Sequence, residues 1–286
     1  MTDYEKALAL WQRKHITTDA ELAEALNGHS ISFAYHSGKL ENENITYHDT
    51  REIFEHDGVT SYTGDLRTLF EIRNAKEANE LFLRAFRERR ALDEAFVMEL
   101  QLQLTHGTYD TRRWQLGERP GEYKRHDYVT GREEVGAAPE DVADEMGELL
   151  SEIQDVPAQN ALTAAAYFHA KFENIHPFAD GNGRTGRLAM NYFLVLRDHP
   201  PIVIHEEDRK GYYEALEHGT GSRNWNPAAV SPGPDGKDLG KTDRAGGKAK
   251  GPLHGQITKY QTKAPTAISW CFFHAIRNEG TYEKRN

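Results

Sequence analysis

Apolar residues return every three or four positions along most of the chain up to about residue 220, the period of an amphipathic helix. Leu66, Leu69, Phe70, Leu81, Phe82, Ala85 and Phe86 lie on one such stripe. Val142, Met146, Leu149, Leu150 and Ile153 lie on another, just after the helix-start signal Pro139-Glu140-Asp141. Residues 158–173 are rich in alanine, the strongest helix former, and predict a third helix. Residues 184–197 predict a fourth, with Leu188, Tyr192, Phe193 and Leu196 on its apolar face, and residues 208–217 a short one. Residues 117–138 break the rhythm. Four glycines and a proline among alternating positions read as a β-hairpin or flap between helices. No internal repeat appears.

The pattern stops near Pro227, and the charge changes with it. The first 227 residues carry a balance of −15, and the remainder +5, within a net charge of −10 over 286 residues. The segment after Pro227 is rich in Gly, Pro and Lys without period, which reads as a disordered or poorly packed tail that catalysis can spare. The acidic body argues against nucleic acid, whose phosphates ask for a basic face. Cys271 stands alone, so no internal disulfide forms, as in a reducing cytoplasm. No run of apolar residues is long enough to span a membrane, and the first twenty residues lack a signal-peptide core. A soluble cytoplasmic protein is the expectation.

The chemistry gathers in residues 176–187, HPFADGNGRTGR, between two helical segments. Gly181, Gly183 and Gly186 spell GxGxxG, but the dinucleotide fingerprint needs a strand before it, and here an alanine-rich helix precedes. The segment offers something else. Gly181-Asn182-Gly183 can turn its N–H groups inward, and the helix beginning near Arg184 adds free N–H groups and a positive dipole end, a cradle for phosphates. Arg184 and Arg187 are three apart, on one helix face, and both reach the same polyphosphate. Asp180 supplies a hard oxygen for Mg²⁺. His176 can take a proton near neutral pH. No His/Cys spacing suggests zinc, and His169, His199 and His205 read as structural or surface residues.

These twelve residues resemble the signature of the Fic family, HPFx[D/E]GNGRxxR, at every fixed position. The likeness runs over about residues 30 to 220 and leaves out the tail. It implies an all-α Fic fold, a helical bundle with a small β-hairpin flap, divided into an N-terminal helical segment (1–60), a catalytic core (61–227) and the tail (228–286). It also implies a protein adenylyltransferase that moves AMP from ATP to a Ser, Thr or Tyr hydroxyl of a target protein. His176 would deprotonate that hydroxyl, and Asp180 would hold Mg²⁺. Gly181, Asn182, Gly183, Arg184, Thr185, Gly186 and Arg187 would bind the nucleotide's phosphates, and Tyr212 and Tyr213 would line the adenine pocket. Tyr128, Val129, Thr130 and Gly131 would be the flap edge that pairs with the target's backbone. Related Doc-type kinases carry lysine where this chain has Gly183, so glycine favours AMP transfer. Ser37-Gly38-Lys39-Leu40-Glu41-Asn42 fits the family's inhibitory pattern [S/T]xxxE[G/N], with Ser37 and Glu41 at its fixed positions, and the resemblance implies that the glutamate pairs with the second motif arginine, here Arg187. The same site could run backwards, with Glu41 placing a water that removes AMP, or carry another nucleotide or phosphate-linked group. A binding module without turnover is the rival from another class. The target and the oligomeric state, a homo-oligomer included, are left open.

Overall fold

The computed structural model describes residues 3–128 and 136–219. Eleven α-helices follow one another there, with two short 3-10 turns and no strand among the described residues. They are α1 (Asp3–Gln12), α2 (Asp19–Ala25), α3 (His29–Lys39), α4 (Tyr47–His56), α5 (Leu66–Arg87), α6 (Glu94–Thr105), α7 (Thr111–Gln115), α8 (Val142–Gln154), α9 (Ala161–Ile175), α10 (Asn182–Leu196) and α11 (Arg209–Gly219). None of the helices among the described residues is long and apolar enough to cross a membrane.

Short polar residues start the helices. Thr18 opens α2 as a capping box with Glu21, and Thr46, Asp65, Asp93 and Asp110 each accept a backbone N–H at the heads of α4, α5, α6 and α7. Apolar faces then decide the packing. Helix α10 is buried on almost every side and lies against α9, α6, α3 and α5. Its polar side chains can be buried there because they find partners, as Arg187 does on Ser37 and Asn191 on the Ile202 carbonyl. Tyr192 shows how it is held: its ring meets Phe82 and Phe96 edge-on at 5.4 and 4.7 Å, and its hydroxyl donates to the Arg90 carbonyl at 2.7 Å.

The stripes of α8 and α10 fall where the periodicity puts them, with Val142, Met146, Leu149 and Ile153 buried. The stripe on α5 differs at its start. Leu66 and Phe70 are exposed, and beside Ile72 the buried positions there are the polar Thr68, Glu71 and Asn74. The reason is partners. Asn42 donates its side-chain amide to Thr68 Oγ1 at 3.0 Å and to Glu71 Oε2 at 2.7 Å, and Asn74 donates to the Leu104 and His106 carbonyls. Polar groups whose bonds are satisfied can take a buried face. Residues 1–60 are not packed apart from the rest: Tyr4, Trp11, Leu22, Leu26 and Leu40 sit in the main core. Of the flap positions, Val129, Thr130 and Gly131 lie outside the described residues, as does the tail from 228; the described part of 117–138 is turn and bend.

Candidate active site

The motif is the joint between α9 and α10. Helix α9 ends at His176, whose backbone adopts the left-handed conformation (φ 50°, ψ 61°) and whose N–H closes on the Phe172 carbonyl at 3.0 Å. The loop is stapled by Asn182, whose side-chain oxygen accepts the Phe178 N–H at 2.9 Å while its amide donates to the Phe178 carbonyl at 2.7 Å. Its side chain is thus held in the loop, and its backbone N–H is at the first position of α10. Gly181 (φ 82°) caps α10, and a Cβ there would meet Thr105 Cγ2 at 2.5 Å, so glycine is required. With no side-chain cap, the first N–H groups of α10 are open to an anion.

His176 is half-buried between this loop and the segment around Lys124 and Gly136, which is tied down by the Lys124 N–H on the Pro177 carbonyl (2.9 Å) and the Ala137 N–H on the Ile175 carbonyl (3.0 Å). Burial, with the charge of Lys124 next, pushes the imidazole down to about 4. The ring is neutral at pH 7 and able to accept a proton.

Asp180 lies between two guanidinium groups, Arg67 Nη2 at 2.9 Å and Arg184 Nη2 at 3.4 Å, and Gln101 fixes its carbonyl with a 2.8 Å bond. Arg184 also faces Glu71 at 3.7 Å. Arg187 is almost wholly buried. Its Nε donates to Ser37 Oγ at 2.9 Å, its Nη2 to the Ser37 carbonyl at 2.9 Å and to Glu41 Oε1 at 2.8 Å, and its Nη1 to the Tyr212 hydroxyl at 3.1 Å. Glu41 stands in the turn just past α3, directly over the first turn of α10: a Cβ on Gly183 would collide with Glu41 Oε1 and lie 2.8 Å from Arg187 Nη1. Only a bare backbone at 183 lets the carboxylate sit there.

Residues 91–194 match the family model described as the Fic/DOC family. The chain contains a Fic domain. The protein adenylyltransferase Fic of Drosophila persimilis is 30% identical over 190 residues, 64% of this chain and 35% of that protein. The protein of the same description from Nematostella vectensis is 44% identical over 86 residues, 29% of this chain and 20% of that one. The chain thus spans between a fifth and little more than a third of the length of these curated relatives. A Fic domain containing signaling protein from Bacteroides thetaiotaomicron has the same fold, with a TM-score of 0.66 at 22% identity over the whole of both chains. Fic-1 from C. elegans follows with a TM-score of 0.62 at 18% identity, covering 97% of this chain and 72% of that one.

The Fic domain brings His176, Asp180, Gly181, Gly183, Arg184 and Arg187 together, and Ser37 and Glu41 reach them from α3. Other expected contacts fall elsewhere. Tyr212 is buried and links Arg187 to His169, whose Nε2 lies 2.8 Å from its hydroxyl, so it supports the arginine. Tyr213 is half-buried beside it, ring centroids 5.0 Å apart. Gly186 is where α10 touches α9, since a Cβ would lie 2.8 Å from Glu173 Oε1 and Phe172 Cδ1, and Thr185 is fully buried. Any part these two play towards a nucleotide is through the helix they build. Tyr128 donates to Glu118 Oε1 at 2.9 Å. Sequence reasoning missed Arg67, Glu71, Gln101 and Glu173, which come from distant helices or carry no motif.

Glu173 gives the Fic domain a pH signature. Burial pushes its carboxyl up to about 8, while burial holds His29 and His176 down to about 4 and His169 to about 3. As pH falls below about 6.5, unfolded histidines gain protons that the folded ones refuse, so stability drops. As pH rises from there to 8, the folded chain keeps a proton on Glu173 that the unfolded chain has released, so stability drops again. The melting temperature should peak near pH 6.5, at about the free histidine value. Glu173→Gln should flatten the decline between about 6.5 and 8, and a Gln variant whose melting temperature falls as steeply as wild type there counts against the assignment.

Proposed function

We propose that this chain transfers AMP from Mg·ATP to a hydroxyl of a target protein and that Glu41 holds it back. The observation that carries the reading is the Glu41 carboxylate seated over Gly183 on Arg187, at the anion-binding start of α10 and in the loop that holds a neutral His176. The N–H groups of Gly181 to Gly183 take phosphate oxygens. Arg184 and Arg187 bind the outer phosphates with forked donors once Glu41 has left. His176 accepts the proton of the target hydroxyl as its oxygen attacks the α-phosphate and pyrophosphate departs. Tyr128 to Gly131 present the edge along which a target strand lies.

Asp180 suits magnesium in one respect: it is a single carboxylate at the loop, and Mg²⁺ is usually held by one or two carboxylates together with substrate phosphates rather than by a protein cage. Its present partners are the guanidiniums of Arg67 and Arg184, so a cation arriving with the nucleotide replaces one positive neighbour with another. When bound, Mg²⁺ neutralises charge on the phosphates. Asp180→Ala should lower transfer by about two orders of magnitude, since such charge stabilisation is worth several kcal/mol. It should also remove the response to Mg²⁺, and a magnesium titration that keeps its wild-type midpoint would exclude this role. The lone Cys271 fits a reducing cytoplasm as the place of action. The reading is tested by incubating the protein and a lysate with ATP labelled at the α- or, in parallel, at the γ-phosphate and sequencing the labelled band; label taken from the γ- but not the α-labelled nucleotide would refute AMP transfer.

A further inference from the structure

One position before Ser37 in α3, a second group of ligating side chains comes together. His36 in α3 faces His205, ring centroids 4.3 Å apart, and Glu207 Oε2 lies 3.9 Å from His205 Nδ1. One donor atom from each of the three residues falls within 4.8 Å of the other two. In a tetrahedral site with bonds of about 2.0–2.1 Å, donor atoms stand about 3.4 Å apart. The closure still needed is small, and Glu207, 72% exposed, is free to make it by rotamer change. Three features distinguish this group from ordinary packing. Two imidazoles from distant parts of the chain meet with their rings tilted by 56°. The neighbouring carboxylate, Glu207, makes no ion pair with a lysine or arginine among the described residues. The neighbouring Glu206 is already committed, accepting the Tyr35 hydroxyl at 2.7 Å, and its N–H makes only a long 3.4 Å bond to His36 Nδ1, which a cation can displace.

We propose that His36, His205 and Glu207 form a site for a borderline first-row divalent cation of the Zn²⁺ class, which clamps α3 to the segment leading into α11. Two histidines and a glutamate are the donor set of three-ligand zinc sites, with the fourth position left to water, and imidazole suits Zn²⁺, Ni²⁺ and Cu²⁺ where Mg²⁺ prefers oxygen. The donors stand 169 residues apart in sequence, so no spacing along the chain points to the site. His36 directly precedes Ser37, which gives Arg187 both its hydroxyl and its carbonyl. A cation bridging His36 and His205 therefore fixes the helix end from which Glu41 projects. That it strengthens inhibition rests on the reading above, so both readouts avoid catalysis.

The test uses untagged full-length protein titrated with Zn²⁺ in a calorimeter, followed by amide hydrogen exchange. Wild type is expected to bind one equivalent, at least tenfold tighter than Glu207→Gln, His205→Ala or His36→Ala. Exchange along residues 33–40 is expected to slow with Zn²⁺ in wild type and to stay unchanged in the variants. Equal titrations in wild type and all three variants would overturn the site, as would binding of several weak equivalents with no tight one. Tight binding with unchanged exchange in α3 would overturn the clamp. Glu207→Gln guards against misfolding, because an exposed side chain on a 3-10 turn leaves the core intact.

Discussion

Replacing Glu41 by glycine should raise AMP transfer about 10- to 100-fold. The Glu41–Arg187 bond is charge-assisted, 2.8 Å long, and its arginine is 1% exposed. Hydrogen bonds to charged groups are worth about 1.5–3 kcal/mol, and each 1.4 kcal/mol is about tenfold. A triphosphate must take Arg187 from that pair before its γ-phosphate can settle. While Glu41 stays over Gly183, the nucleotide can enter only with its α-phosphate off the in-line path. Removing the carboxylate should thus raise the rate of transfer more than it tightens ATP binding. Auto-modification with labelled ATP gives the readout without a known target. Arg187→Ala should lose activity with or without Glu41, since the clamp itself is gone. A folded, ATP-binding Glu41→Gly protein with no gain in label would refute inhibition. If that protein also stopped removing AMP from a pre-modified substrate, Glu41 would be the water-placing group of the reverse reaction.

His176→Ala should reduce transfer by about 10²- to 10⁴-fold, the usual contribution of a positioned base, and leave ATP binding nearly intact. The site offers a neutral ring beside the anion-binding loop, held down to about 4 by burial and Lys124. That value also predicts the pH profile. As far as His176 is concerned, the base form persists down to about pH 5, so transfer should not fall with a midpoint near the free histidine value of about 6.5. An alanine variant that labels itself at near the wild-type rate would sink the role. An acid limb centred at about 6.5 would mean that the ring becomes more solvated once nucleotide and target are bound.

The catalytic loop was legible in the sequence because it is local: twelve consecutive residues contain the base, the cradle and both arginines, and α9 and α10 follow from alanine content and apolar period. Ser37 and Glu41 were legible only as a pattern resembling the family's, and the structure supplies the contact with Arg187. What escaped was polar and long-range. Arg67 reaches Asp180 across 113 positions, and Gln101 across 79. Thr68, Glu71 and Asn74 read as a solvent face because periodicity counts polar residues as exposed, although here each finds a buried partner. Tyr212 is the converse. The resemblance gave it a place at the adenine pocket, and here it is buried against an arginine whose other side-chain bonds go to Ser37 and Glu41.

The order of these pieces along the chain has a consequence for the protein's earliest moments. Glu41 precedes Arg187 by 146 residues. At a synthesis rate of about 5–20 residues per second, Glu41 is added to the chain roughly 7–30 s before Arg187. When α10 first winds up, the carboxylate that covers it is already present on the same nascent chain, at a high local concentration. No newly made molecule need pass through a stage with an uncovered Arg187. The cell would then meet each copy shut from birth, with opening always a later event.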